Sequence, residues 1–398
     1  MQISKTARGS EESPMRKFHP YAVRAEQAGK KVYHLNIGQP DIATPPAFFE
    51  AVRSFSDPTV EYAPSAGIPP LLEAVARYYA KLNAPFTTDD ILITTGGSEA
   101  LLIAMTCTID DGEEILIPEP FYPNYATFAR QIGARIRPIP TTPESGYHYA
   151  EKELLEAAVT PRTRAILLTN PGNPCGTVLT REEMQLVVDF AKKYDLWLIA
   201  DEVYREFVYD GKPLSTFAAF PDALDRLILI DSVSKRFSAC GARIGALLSM
   251  NREFLANALK FCQSRLSVAT LDQVAATALY TVDESYFTAV REEYNRRRDT
   301  VVSALRRIPG VICECPGGAF YLMAKLPVDD AEKFQIWLLE QFDDHGDTVM
   351  FAPGQCFYAG KNMGKSEIRI AYVLKQQDLE RAMELLAKGL EAYHNAQN

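Results

Sequence analysis

The chain has 398 residues, 47% of them hydrophobic and 23% charged, with a formal net charge of −9. That length accommodates two domains, or one large domain with a smaller one. The acidic balance argues against nucleic acid or an anionic membrane as partner, and no apolar run is long enough to span a bilayer.

The opening MQISKTARGSEESPMRKF lacks the apolar core of a secretory signal. Seven cysteines, an odd number without a CxxC pair, read as reduced thiols of a cytoplasmic protein, and five scattered histidines argue against a metal site.

In chain order, residues 1–34 read as polar and irregular, ending in a short apolar run before Gly38 and a stiff loop at Pro40, Pro45 and Pro46. Helical spacing follows at 47–55 and 71–82, around a loop with Tyr62, Pro64 and Gly67. From Ile91 the pattern alternates between strand and helix: ILIT before a Gly-rich turn, EILIP before an aromatic loop, RIRPI, AILLT before the NPGNPCG loop, LWLIAD and LILIDS. Thr180 and Glu183 fit a capping box at the helix after NPGNPCG. Repeated strand–helix units predict an α/β fold with a mostly parallel sheet covered by helices. Beyond about 282 come a charged helix over 285–307, strand-like VICECPGGAFYLMAKL and EIRIAYVL, and a last helix over 375–393. That mixture predicts a second, α+β domain built from the C-terminal third and joined by the N-terminal arm.

The stretch LILIDSVSKRFSACGARIG, residues 227–245, carries the densest chemistry. Its apolar run suits a strand buried on both faces, so Lys235 falls at the C-terminal edge of a parallel sheet, where open α/β folds hold ligands. Two hydroxyls (Ser232 and Ser234), the lysine and Arg243 between Gly241 and Gly245 can bind a phosphate and present an amine beside it. Thr95-Gly96-Gly97-Ser98 opens a helix whose N-terminus suits an anion, although a bare glycine pair is more often only a tight turn. No nucleotide-binding glycine motif claims it. Asp201 ends the apolar LWLIA and either caps a loop or serves a ligand. Asn173 offers an amide to the same cleft. Arg369, in an alternating strand, is either a solvated edge charge or a bidentate clamp on a carboxylate. An amine, an anion site, an acid for a ring nitrogen and a carboxylate clamp together are the parts of pyridoxal phosphate catalysis.

From NIGQPD to EIRIAY the chain closely resembles the class I/II aminotransferases of fold type I, the aspartate aminotransferase family. The likeness rests on YxxxxG at Tyr62, TGG, NPxNPxG, DEVY, SxSKxFxxxGxRxG and the late arginine. It implies a seven-stranded, mostly parallel sheet in a large domain over 46–285, with residues 1–45 and 286–398 forming the small domain. It implies that Lys235 forms the Schiff base with pyridoxal 5′-phosphate and then moves the substrate proton. Asp201 resembles the partner of the pyridine N–H, and Tyr204 and Asn173 the pair on the cofactor's phenolic oxygen. Tyr122 resembles the stacking aromatic. Gly97, Ser98, Ser232, Ser234 and Arg243 resemble the phosphate cup, completed by Tyr62 from the neighbouring subunit of a homodimer with shared sites. Gly38, Asn173 and Arg369 resemble the seat of the substrate's α-carboxylate. Cys175 and Tyr125 depart from common residues of the family beside the cofactor, and Glu99 places an acid at the phosphate turn.

The resemblance implies transfer of an amino group from an L-amino acid, with aspartate expected, to a 2-oxo acid, with 2-oxoglutarate expected, by a ping-pong mechanism. Arg16 and Arg265 are the candidates for a distal carboxylate, against a solvated arm residue and an interface ion pair respectively. A carbon–sulfur β-lyase and a broad-specificity aromatic or alanine aminotransferase share the same scaffold. A non-catalytic regulator built on it would need a DNA-binding helix-turn-helix ahead of the scaffold, for which the short arm has no room.

Overall fold

A computed structural model describes residues 1–9 and 16–397. Residues 10–15 and 398, which the expected small domain includes, lie outside the described residues.

Twelve strands occur among the described residues: β1 (Lys31–His34), β2 (Ile91–Thr94), β3 (Glu114–Pro118), β4 (Arg135–Ile139), β5 (Thr163–Thr169), β6 (Trp197–Asp201), β7 (Leu227–Ser232), β8 (Gly245–Leu248), β9 (Tyr321–Lys325), β10 (Asp347–Met350), β11 (Ala352–Pro353) and β12 (Glu367–Ala371). Seven of them form one sheet in the order β2-β8-β7-β6-β5-β3-β4. β8 runs antiparallel to both β2 and β7, while the other adjacent pairs are parallel.

The central strands are apolar throughout because helices cover both faces of the sheet. Every residue of β7 is buried. Its side chains divide by alternation: Leu227 and Leu229 enter one core, Ile228 and Ile230 the other. Between β5 and β6 lies the helix Arg181–Lys193, which opens with the expected capping box, the Glu183 amide donating to Thr180 Oγ1 at 3.2 Å and the Thr180 amide to Glu183 Oε2 at 2.7 Å.

A second core gathers β12, paired antiparallel with β9 and β11, under the helices Glu284–Leu305, Ala331–Glu340 and Gln376–Gln397. Here the N-terminal region departs from its irregular reading. His19–Gln27 is a helix with Pro20 in its first turn, where a missing N–H costs nothing, and β1 pairs parallel with β10. The helix escaped the apolar count because its inward residues are the small Ala22 and Ala25. They pack with Phe18 and Val32 against Leu339 and Met350.

The loops that leave β2, β3, β5, β6 and β7 all open at the C-terminal edge of the large sheet, and the segment after β1 crosses above them.

Candidate active site

A cavity of about 850 Å³ lies at that edge. Its walls include Gly38, Gly97, Ser98, Tyr122, Asn173, Asp201, Tyr204, Ser232, Ser234, Lys235, Arg243, Arg369 and Arg16. Residues as far apart in sequence as Arg16 and Arg369 are thus brought together.

Lys235 rides on a one-turn helix, Val233–Arg236, directly after β7. Ser232 caps that turn, its Oγ accepting from the Ser234 amide at 3.1 Å. The lysine amine donates to the Gly38 carbonyl at 2.8 Å and lies 3.9 Å from Cys240 Sγ. The small, rigid turn fixes where the long side chain starts, and the carbonyl fixes where it ends.

The anion cradle is built by what glycine leaves open. Arg243 has a positive φ of 54° and folds back over the N-terminus of the 13-residue helix Gly96–Thr108. A Cβ on Gly96 would lie 2.4 Å from its guanidinium, and one on Gly245 would lie 2.4 Å from the Gly96 backbone. Backbone N–H groups, a cation and the Ser98, Ser232 and Ser234 hydroxyls therefore face one small space, a donor set that fits a phosphate. Glu99 is turned away from it. One carboxylate oxygen accepts from the Thr95 amide at 2.6 Å, and the group pairs with Arg265 at 2.9 Å. Arg265 also donates to the Ile93 carbonyl at 2.7 Å and is absent from the cavity wall.

Asp201, the last residue of β6, is buried at the cavity floor. Its Oδ2 accepts from the Tyr125 hydroxyl at 2.7 Å and its Oδ1 from the Val203 amide at 3.3 Å. Burial pushes its carboxyl up to about 6, although both hydrogen bonds pull it down. Such an acid gains from a cationic N–H donor in the cavity above it.

Tyr204 accepts from Asn173 Nδ2 at 3.4 Å and shares a 3.1 Å hydrogen bond with Tyr321. Burial, with Tyr321 beside it, holds the Tyr204 hydroxyl well above the ordinary phenol range. Burial likewise raises Tyr122 to about 12. Tyr122 meets Tyr125 edge-on, ring centroids 5.5 Å apart.

Arg369 is not an edge charge. β12 is the middle strand of its sheet, and the guanidinium is buried, donating to Asn173 Oδ1 at 3.2 Å and to the Asn36 carbonyl at 2.6 Å. Tyr321 lies beneath it, ring centroid 4.5 Å away. Sequence reasoning passed over Tyr321, whose only local signal is an aromatic at the start of a strand after Pro-Gly-Gly. It also left Tyr125 as a mere departure, although its hydroxyl bonds Asp201.

Tyr62 is 80% exposed and does not reach this cavity. Arg16 stands at the cavity mouth with His19 and His34, and His34 bonds Glu26 at 3.0 Å.

Residues 30–386 match the family described as "Aminotransferase class I and II". The chain belongs to that family. This aminotransferase is 32% identical over 377 residues to an aspartate aminotransferase of Pyrococcus horikoshii, covering 92% of this chain and 93% of the relative. It is 34% identical to a (5-formylfuran-3-yl)methyl phosphate transaminase of Methanocaldococcus jannaschii, with 93% and 94% covered. An aromatic-amino-acid aminotransferase of Thermococcus litoralis is 32% identical, with 90% and 92% covered. Among solved structures, Thermus thermophilus aspartate aminotransferase with maleate superposes with a TM-score of 0.88 at 27% identity, covering 98% of this chain and all of the other. The aminotransferase therefore has the fold type I architecture, and it is a pyridoxal-phosphate-dependent enzyme as its family is. No helix among the described residues is long and apolar enough to cross a membrane.

Proposed function

We propose that this chain moves the amino group of an L-amino acid, aspartate first, to 2-oxoglutarate, giving oxaloacetate and glutamate in two half-reactions. One observation carries the reading. The Lys235 amine donates to the Gly38 carbonyl while Arg369 donates to the Asn36 carbonyl, so an amine and a carboxylate clamp meet on one three-residue segment. An amino acid seated by its α-carboxylate on Arg369 thereby presents its Cα to the lysine.

Pyridoxal phosphate, when bound, supplies an aldehyde that takes up the amino group and a ring that stores the electron pair released at Cα. Arg243, Gly97, Ser98, Ser232 and Ser234 would hold its phosphate, and Tyr122 would stand beside its ring. Asp201 would keep the ring nitrogen protonated, while Tyr204 and Asn173 would donate to the phenolic oxygen. Lys235 would be the attachment point and would then carry the proton at Cα as base and acid. Arg16 meets the distal carboxylate, a role that Arg265 leaves open by its commitment to Glu99 and Ile93.

The functional unit is a cytoplasmic homodimer with shared sites. Tyr62 would serve a neighbouring copy's phosphate, and its exposure, with that of Val60 and Leu266, supports that reading. Residues 46–285 form the large domain, with 1–45 and 286–398 the small one, a division supported by the separate cores and by the β1–β10 pair.

Purified protein with pyridoxal phosphate, aspartate and 2-oxoglutarate should produce glutamate and oxaloacetate together. A second reading, transamination of aromatic amino acids, is favoured by Ile37 and Met350 in the cavity wall. Turnover of phenylalanine but not aspartate would establish it. Pyruvate and ammonia from cystathionine without a 2-oxo acid would mark a β-lyase instead.

A further inference from the structure

Behind the cavity lies a second layer of buried charge. The residues that face the cavity alternate with residues that face away from it: Asp201 with Glu202, Tyr204 with Arg205, Ser232 with Asp231 and Lys235 with Arg236. All four outward partners are buried.

They form two braces. Across the turn after β6, Arg205 Nε donates to Glu202 Oε2 at 2.8 Å, while Glu202 Oε1 accepts from the Phe217 amide at 2.8 Å. Across the turn after β7, the Arg236 guanidinium grips both oxygens of Asp231. The Tyr79 hydroxyl bonds to both. Tyr79, on the helix Pro69–Ala80, donates to Asp231 Oδ2 at 3.0 Å and accepts from Arg205 Nη2 at 2.5 Å. Its neighbour Tyr78 lies under Arg236, ring centroid 4.0 Å away, and accepts from Arg205 Nη1 at 3.1 Å.

Two guanidiniums balance two carboxylates, and the buried Glu206, which accepts from the Tyr78 hydroxyl, is balanced by Arg291 at 3.0 Å, so the layer is neutral as a buried ionic cluster requires. Against burial, Arg236 and Arg205 hold the Asp231 carboxyl below its ordinary range. Asp231 and Glu202 are in turn among the charges that raise Asp201, so the layer is felt at the cavity floor.

We infer that Tyr79 and Arg236 are positioning residues: through the shared hydroxyl they lock the turn bearing Lys235 to the turn bearing Asp201 and Tyr204, fixing the cofactor's attachment point against its ring partners. The inference rests on the reading of those three residues as the cofactor's ligands. It extends that reading to groups that touch neither cofactor nor substrate. Site residues held by a supporting shell keep their geometry before the ligand arrives, and loosening that shell costs affinity.

Tyr79→Phe removes the joining hydroxyl and nothing else. Arg236→Lys keeps the charge and loses the planar fork. Each is reconstituted with pyridoxal phosphate and compared with the unaltered chain by equilibrium titration of the cofactor and by the pH dependence of its bound visible absorbance. In Tyr79→Phe the dissociation constant should rise by about tenfold, the scale on which loss of a supporting partner is felt in ligand-holding shells. The pH midpoint of the absorbance change should move, and Arg236→Lys should shift in the same direction. A cooperative melt shows that each variant is folded; should Tyr79→Phe lose it, Arg236→Lys decides alone. Folded variants with the parent's dissociation constant and midpoint would reduce the layer to fold support and overturn the inference. If the unaltered chain itself gives no absorbance band with the cofactor, the proposed function fails first, a result distinct from unchanged variants.

Discussion

Tyr321 occupies the space that a side chain at position 38 would need. A Cβ built on Gly38 would lie 1.8 Å from the Tyr321 hydroxyl oxygen and 2.3 Å from two ring carbons. The glycine read from the sequence as a carboxylate seat is thus also the gap through which an aromatic ring supports Arg369 and Tyr204. Gly38→Ala must displace that ring, at a cost of about 1–3 kcal/mol for overpacking. Both the melting temperature and kcat/KM should fall for every substrate. Wild-type kinetics in Gly38→Ala would mean the ring is free to move.

Lys235→Ala removes the amine at the cavity. Transamination should fall by more than about 100-fold, the scale of a lost general base. Borohydride reduction of the parent protein with its cofactor, then peptide mapping, should place the label on residue 235; a label on another lysine would move the chemistry elsewhere.

Asp201 trades stability for function. Its carboxyl lies near 6 in the cofactor-free fold and near 3.9 in an unfolded chain, so between those values the folded state holds more protons. Stability of the cofactor-free protein is therefore lost as pH rises from about 4 to 6, by up to about 3 kcal/mol, and stays lost above. Asp201→Asn should be the more stable protein at pH 7.5, the two converging below about pH 4, while binding pyridoxal phosphate more weakly. Urea unfolding across pH 4–8 measures the difference; a gap that widened toward acid would reverse the sign of the argument.

Arg369→Ala should raise KM for aspartate and phenylalanine alike, by about 100-fold if two charge-assisted hydrogen bonds to the carboxylate are lost. An effect on aspartate alone would assign the arginine to the distal group.

Sedimentation should give twice the 44.4 kDa of one chain. Tyr62→Phe should weaken cofactor binding in that assembly; a monomer with full activity would leave Tyr62 without the role proposed for it.

The places of Lys235 and Asp201 at the sheet's edge were legible because apolar runs buried on both faces end at Asp201 and just before Lys235. A sheet's edge can be read from where its strands stop. Tyr321 was not legible, because its partners Gly38 and Tyr204 are 283 and 117 residues away and an aromatic after a turn has many uses. The pairing of Glu99 with Arg265 spans 166 residues and reassigns both at once. For Arg369 the alternation around it was visible, but a strand's own pattern does not reveal whether it lies at a sheet's edge or in its middle. The helix His19–Gln27 shows the same limit, since alanines facing inward leave little apolar contrast.

The bond from Arg369 to the Asn36 carbonyl joins residues 333 positions apart. The large sheet that carries the cofactor's proposed ligands is complete by β8, whereas the arginine comes from β12 in a separate sheet. Vitamin affinity and amino-acid affinity are therefore separable: a change confined to that late strand should spare the first and weaken the second.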